Sequence, residues 1–240
     1  MILSLRLAGA KRAMLRRALA RYRNTLVVIG VSVLTIFITV QLLSLSPAPD
    51  LAKINNASRV LTLNQSWADG DVIALVRHVE RCDRTNAACL GPQEGVTVQG
   101  AAVAQGLGDH FRQLGLKNAD IYSSDLTRAR QTAEAMFTHP VEAHDWIFNC
   151  QGTMLRDVLK HKVPGPNLVL VTHSECMDDL ETGMHVPTDT TFGYGASLFI
   201  KADGTSDQPQ MLGYIETKDW GSIVPHIAPP VGNRIDASRL

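Results

Sequence analysis

The chain has 240 residues, 45% of them hydrophobic, and 23 basic against 23 acidic side chains. That apolar content excludes wholesale disorder. The charge is unevenly placed: residues 1–49 carry seven cations (Arg6, Lys11, Arg12, Arg16, Arg17, Arg21, Arg23) and no carboxylate, and the remainder carries a net of −7. An acidic body lacks the basic excess that phosphate backbones demand, so no nucleic-acid partner is expected.

In chain order, residues 1–24 are a basic N-terminal arm. Thr25–Leu43 then runs for 19 residues without a charge. At about 1.5 Å per helical residue this approaches the ~30 Å hydrocarbon core of a bilayer. The run exceeds the apolar core of a cleaved signal peptide, about 7–15 residues, and no clean small-x-small site follows. An uncleaved transmembrane anchor is therefore expected. Cations before the run and none just after it predict a cytoplasmic N-terminus and an exported body. Residues 44–70, with Pro47, Pro49, Asn55, Asn56 and Gly70, read as a linker and lead-in. Residues 71–240 are enough for one domain with its own core.

All four cysteines (Cys82, Cys89, Cys150, Cys176) lie in the body. An even count in an exported domain suggests two disulfides. Cys82–Cys89, which closes a small loop, together with Cys150–Cys176 is the favoured pairing of three. No Cys-x-x-Cys pair supports zinc.

Within the body, Val72–Val76 and Asn167–Val171 are short continuous apolar runs, the signature of buried parallel strands. Gln99–Leu114 carries Val103, Leu107, Phe111 and Leu114 at helical spacing. Asp120–Ser123, Leu126–Phe137, Val141–His144 and Thr153–His161 continue the alternation as strand, helix, strand and helix. Ala196–Ile200 and Leu212–Glu216 read as later strands. The tail after Trp220, with Pro225, Pro229 and Pro230, reads as irregular. The fold class is α/β, a mostly parallel sheet with helices on both faces.

Ligands of such sheets sit at the carboxyl ends of strands. Three polar clusters fall there: Arg77-His78-Val79-Glu80-Arg81, Ser123-Ser124-Asp125-Leu126-Thr127-Arg128 and Thr172-His173-Ser174-Glu175. Imidazole can serve as nucleophile or acid/base, and guanidinium matches phosphate bidentately. Together they point to a phosphate-ester site.

These residues carry a resemblance. Arg77-His78-Val79-Glu80-Arg81, the segment Ser124-Asp125-Leu126-Thr127-Arg128-Ala129-Arg130-Gln131-Thr132-Ala133, and His173 after Asn167–Thr172 resemble, in order, the motifs of the histidine phosphatase superfamily. The resemblance covers roughly residues 70–200. It implies a phosphoglycerate mutase-like three-layer fold. His78 would be the nucleophile, Arg77, Arg81, Arg128 and His173 would bind phosphate, and neither metal nor other cofactor would be required. The cysteine positions and the N-terminal segment are similar to those of the exported lipopolysaccharide core heptose phosphate phosphatases of Gram-negative bacteria. That narrower likeness implies a phosphorylated sugar or lipopolysaccharide core substrate. It also implies single-pass attachment to the inner membrane, with a periplasmic catalytic domain.

The chain departs from the family pattern at Val79 and Ser174, where smaller residues are usual. It also has Asn149 where many members carry the Glu that protonates the leaving oxygen. Glu80 is then the leading candidate for that proton, with Glu175 and Asp145 as alternatives. His185 and Tyr194, in a glycine-rich connection, could line the substrate mouth. The other histidines share no spacing and read as surface or structural residues.

Overall fold

A computed structural model describes residues 21–25, 27–39, 46–205 and 208–227. The chain divides into two compact units, Met1–Leu45 and Ser46–Leu240. In the first, the described residues form one helix, Arg21–Thr39, long and apolar enough to cross a bilayer, with no buried side chain. The expected span ends at Leu43, so its last four residues lie outside the described residues, as does most of the basic arm.

The second unit holds six helices and six strands among its described residues. In chain order they are α1 (Ala57–Asp69), β1 (Val72–Arg77), α2 (Val98–Leu114), β2 (Ala119–Ser124), α3 (Thr127–Phe137), β3 (Glu142–His144), α4 (Met154–His161), β4 (Asn167–Thr172), α5 (Ser174–Gly183), β5 (Ser197–Lys201), β6 (Gln210–Ile215) and α6 (Trp220–Ile227). The sheet order is β3-β2-β4-β1-β5-β6. The pairs from β3 to β1 are parallel, and β5 and β6 extend the sheet antiparallel.

Side chains alternate across a strand, so β1 feeds two cores. Val72, Ala74 and Val76 face a layer built from α1, α2, α3 and α6, including Leu63, Leu107, Phe111, Met136 and Trp220. Ile73 and Leu75 face α4 and α5 through Met154, Val158, Met177 and Leu180. Because both faces are covered, the central strands read as unbroken apolar runs. Helices α2 and α3 meet closely at Gly108, where a Cβ would lie 1.9 Å from the Met136 carbonyl oxygen.

Both expected disulfides are present, Cys82–Cys89 and Cys150–Cys176. Two expectations are corrected. The stretch 44–70 is not simply a linker: the compact unit begins at Ser46, and α1 buries Val60, Leu63 and Trp67. Leu51 donates its amide to Tyr214 O and Pro49 O accepts from the Tyr214 amide, both at 2.9 Å, so the lead-in lies along β6. Asn55, Asn56 and Gly70 mark the ends of this helix rather than a loop, Gly70 adopting the left-handed C-cap at φ 79°. The segment beginning at Trp220 is helical, not irregular, as far as Ile227; Trp220 and Ile223 sit one turn apart and are buried.

Candidate active site

Strand register builds the site. Arg77 of β1 is paired with Thr172 of β4, which makes the residues just beyond, His78 and His173, neighbours. The His78 amide donates to Thr172 O at 2.9 Å, continuing the ladder. Ser123 of β2 is paired with Val171 of β4, which carries Ser124 to the same edge. The two imidazoles stand 5.2 Å apart, centroid to centroid. Both are buried, at 3% and 0% exposure, which is unusual for a pair of histidines at a strand end.

The proton position on His78 follows from its partners. His78 Nδ1 lies 2.8 Å from Val79 O, which can only accept, so Nδ1 carries the hydrogen. Nε2 then presents its lone pair and accepts from Arg128 Nε at 3.2 Å. Burial first, and then the charges of Arg128, Arg77 and Arg81, lower the His78 pKa to about 4, against the opposing pull of Val79 O. The ring is therefore a free base at neutral pH, as a nucleophile must be. His173 Nε2 lies 2.8 Å from Ser124 Oγ, which itself accepts from the Leu126 amide. His173 Nδ1 is buried without a protein partner. Burial, then His78 and the three arginines, take its pKa down to about 3.

Arg77 is held by the Phe192 carbonyl and packs over Tyr194, its guanidinium carbon 4.3 Å from the ring centroid. The Tyr194 ring also lies 5.7 Å from that of His78. Arg77 Nε is buried with no partner, an unspent donor beside the histidines. Arg128 is brought in from the first turn of α3, and burial followed by Arg81's charge lowers its pKa. The Arg77 and Arg128 guanidiniums, in no ion pair among the described residues, stand with buried N–H donors beside a neutral imidazole and form a site for a tetrahedral oxyanion.

The remaining expected residues stand differently. Arg81 is close enough to lower both histidine pKa values, but its guanidinium grips Asp83 bidentately, with Nε 2.8 Å from Oδ1. Glu80 Oε2 accepts from Thr97 Oγ1 at 2.9 Å, and that same oxygen caps α2 through the Gly100 amide at 2.8 Å. Glu80 shares an adjacent cleft of about 420 Å³ with Tyr194, Gln99 and Lys218. Glu175 is exposed at the start of α5. Burial pushes its pKa up, but its own amide, the Ser174 hydroxyl and the charges of His78 and Arg128 outweigh that and lower it. On the next turn, burial and then Glu175's charge raise Asp178, with Arg77 opposing. Asp145 and Asn149 are exposed on the loop after β3.

Sequence reasoning did not single out Ser124, Phe148 or Asp178. Ser124 stood inside a quoted motif, and its strand-end position was the available signal. Phe148, whose ring meets that of His173 edge-on at 5.1 Å, gave none.

The chain is similar to several known proteins. Residues 73–146 match the family model of the histidine phosphatase superfamily, branch 1. A lipopolysaccharide core heptose(II)-phosphate phosphatase of Escherichia fergusonii is 33% identical over 109 residues, covering 44% of this chain and 56% of that protein. The enzyme of the same name from Shigella flexneri serotype 5b is 33% identical, covering 44% and 54%. The chain thus matches about half the length of these relatives. A phosphoserine phosphatase structure from Entamoeba histolytica aligns with 62% of this chain and 98% of its own at 13% identity, with a TM-score of 0.49.

Proposed function

We propose that this chain, a member of the histidine phosphatase superfamily, is a phosphomonoesterase working through a phosphohistidine at His78. The observation that carries the reading is the buried, neutral His78 whose Nε2 lone pair faces Arg128 and neighbours His173. Nε2 attacks phosphorus, the N–P bond forms and the ester P–O bond breaks. Arg77, Arg128 and His173 hold the phosphoryl oxygens as charge develops, and Arg81 joins them by turning from Asp83. Glu80, fixed by Thr97, gives the leaving oxygen its proton and then takes one from the water that attacks the phosphohistidine. Inorganic phosphate leaves and His78 is restored.

The substrate proposed is an envelope phosphosugar, the lipopolysaccharide core heptose phosphate named for the relatives. Purified full chain incubated with phosphorylated lipopolysaccharide core should remove one phosphate per core, read by mass spectrometry. An unchanged phosphate count, with p-nitrophenyl phosphate still hydrolysed, removes that substrate and leaves the phosphatase.

The Arg21–Thr39 helix supports attachment to the inner membrane as a single-pass protein, N-terminus in the cytoplasm and catalytic domain in the periplasm. Alkaline phosphatase fused after residue 50 should then be active, because that reporter works only when exported. An inactive fusion that is nevertheless expressed refutes the topology.

A further inference from the structure

Beside His173 lies a groove of about 730 Å³ that the chemistry above does not use. One wall is the loop after β3, with Phe148, Asn149 and Gln151; the other is the first turns of α5, with Glu175 and Asp178. Phe148 is 41% exposed, so its ring borders both the groove and His173. Glu175 lies close enough to Arg128 for its charge to act on it. The groove therefore adjoins the phosphoryl site at Phe148, whose ring lies against His173. The Cys150–Cys176 disulfide ties one wall to the other across 26 residues of sequence, fixing their separation. Asp179, at the same edge, is already engaged: its carboxylate accepts from the amides of Gly152, Thr153 and Met154 and so caps α4.

The lining has an unusual balance. It holds one aromatic ring, two amides, three carboxylates, of which Asp179 is engaged, and no cation. Amides and carboxylates are the groups that accept from and donate to hydroxyls, and an exposed ring covers an apolar C–H face. The negative walls repel a second anion carried by the substrate. We infer that this groove is the leaving-group subsite and takes a neutral, polyhydroxylated group, while the arginines take the phosphoryl. The inference rests on the phosphatase reading. It adds that discrimination comes from carboxylate and aromatic walls pinned by a disulfide, not from the cationic pocket.

The test uses the full chain in detergent with three substrates: mannose 6-phosphate, 3-phosphoglycerate, which carries a second anion, and p-nitrophenyl phosphate. The native protein should favour mannose 6-phosphate over 3-phosphoglycerate by about tenfold or more in kcat/KM. Gln151→Ala and Asp178→Asn should each raise KM for mannose 6-phosphate by roughly three- to tenfold, the scale of one net hydrogen bond. Both should cost p-nitrophenyl phosphate, whose leaving group offers no hydroxyl to bond, less than they cost mannose 6-phosphate. Asp178→Asn should also narrow the preference against 3-phosphoglycerate. Gln99→Ala, in the cleft shared by Glu80 and Tyr194, should change none of these ratios. Equal use of the two natural-type esters by the native protein overturns the inference, as does a loss that follows Gln99 instead. No turnover of any substrate, p-nitrophenyl phosphate included, overturns the phosphatase reading itself and this inference with it.

Discussion

His78→Ala should lower turnover of p-nitrophenyl phosphate by roughly 10⁴–10⁶-fold, the scale seen when a covalent nucleophile is removed. That corresponds to about 5–8 kcal/mol of transition-state stabilisation. The size follows from the local geometry: Val79 O fixes the tautomer and Arg128 aligns Nε2 for attack. Rapid acid-free quenching with ³²P-labelled substrate should trap an alkali-stable phosphoprotein in the native chain and none in the variant. The acid limb of kcat/KM should fall through about pH 4 rather than 6.5, because burial and three arginines keep His78 unprotonated down to that point. A variant retaining activity within tenfold of native would remove His78 from the mechanism.

How much of this was legible in the sequence depends on whether a feature is local. Val72–Val76 and Asn167–Val171 announced themselves because strands covered on both faces need apolar side chains on both. The residues just beyond them were then placed at one edge by a general property of parallel sheets, and the three motifs in order supplied their roles. The disulfide pairing was also readable, since Cys82 and Cys89 are close in the chain and leave only one other pair. What escaped depends on partners distant in sequence. Helix α1 hid behind Asn55, Asn56 and Gly70, which mark its ends, while its burial depends on β6 and α6. Arg81 read as a phosphate clamp, yet Asp83 holds it two residues away. The partner of Glu80 is Thr97, and Tyr194 reaches Arg77 from a loop more than a hundred residues on. Phe148 gains meaning only once β3 and β4 place its ring against His173.

Folding stability should rise with pH between about 5 and 6.5, and the slope should double when Glu181 is neutralised. His78 and His173 are neutral in the folded protein down to about 4 and 3, whereas ordinary histidine protonates near 6.5. Well inside those limits the unfolded chain binds close to two protons that the folded one refuses, so lowering pH destabilises the fold. Glu181 works in the opposite direction. Burial, then the charge of Asp178, raises its pKa to about 7 from an ordinary 4.5. Over that range the folded state holds a proton that the unfolded state has lost, and rising pH costs stability. Near pH 5.5 these three groups, with a lowered His110 and a raised Asp178 acting in opposite directions beside them, leave a net difference of roughly one proton, on the order of 1 kcal/mol per pH unit. Glu181→Gln keeps the side chain's shape and removes the opposing proton, so its slope should be roughly twice as steep. Urea unfolding at half-unit intervals from pH 5 to 6.5 reads both slopes. Equal slopes in the two proteins would mean that Glu181 is ionised in the fold. A flat native profile would mean that the paired histidines accept protons where they stand, and His78 would then lose the neutral nitrogen on which the proposed chemistry depends.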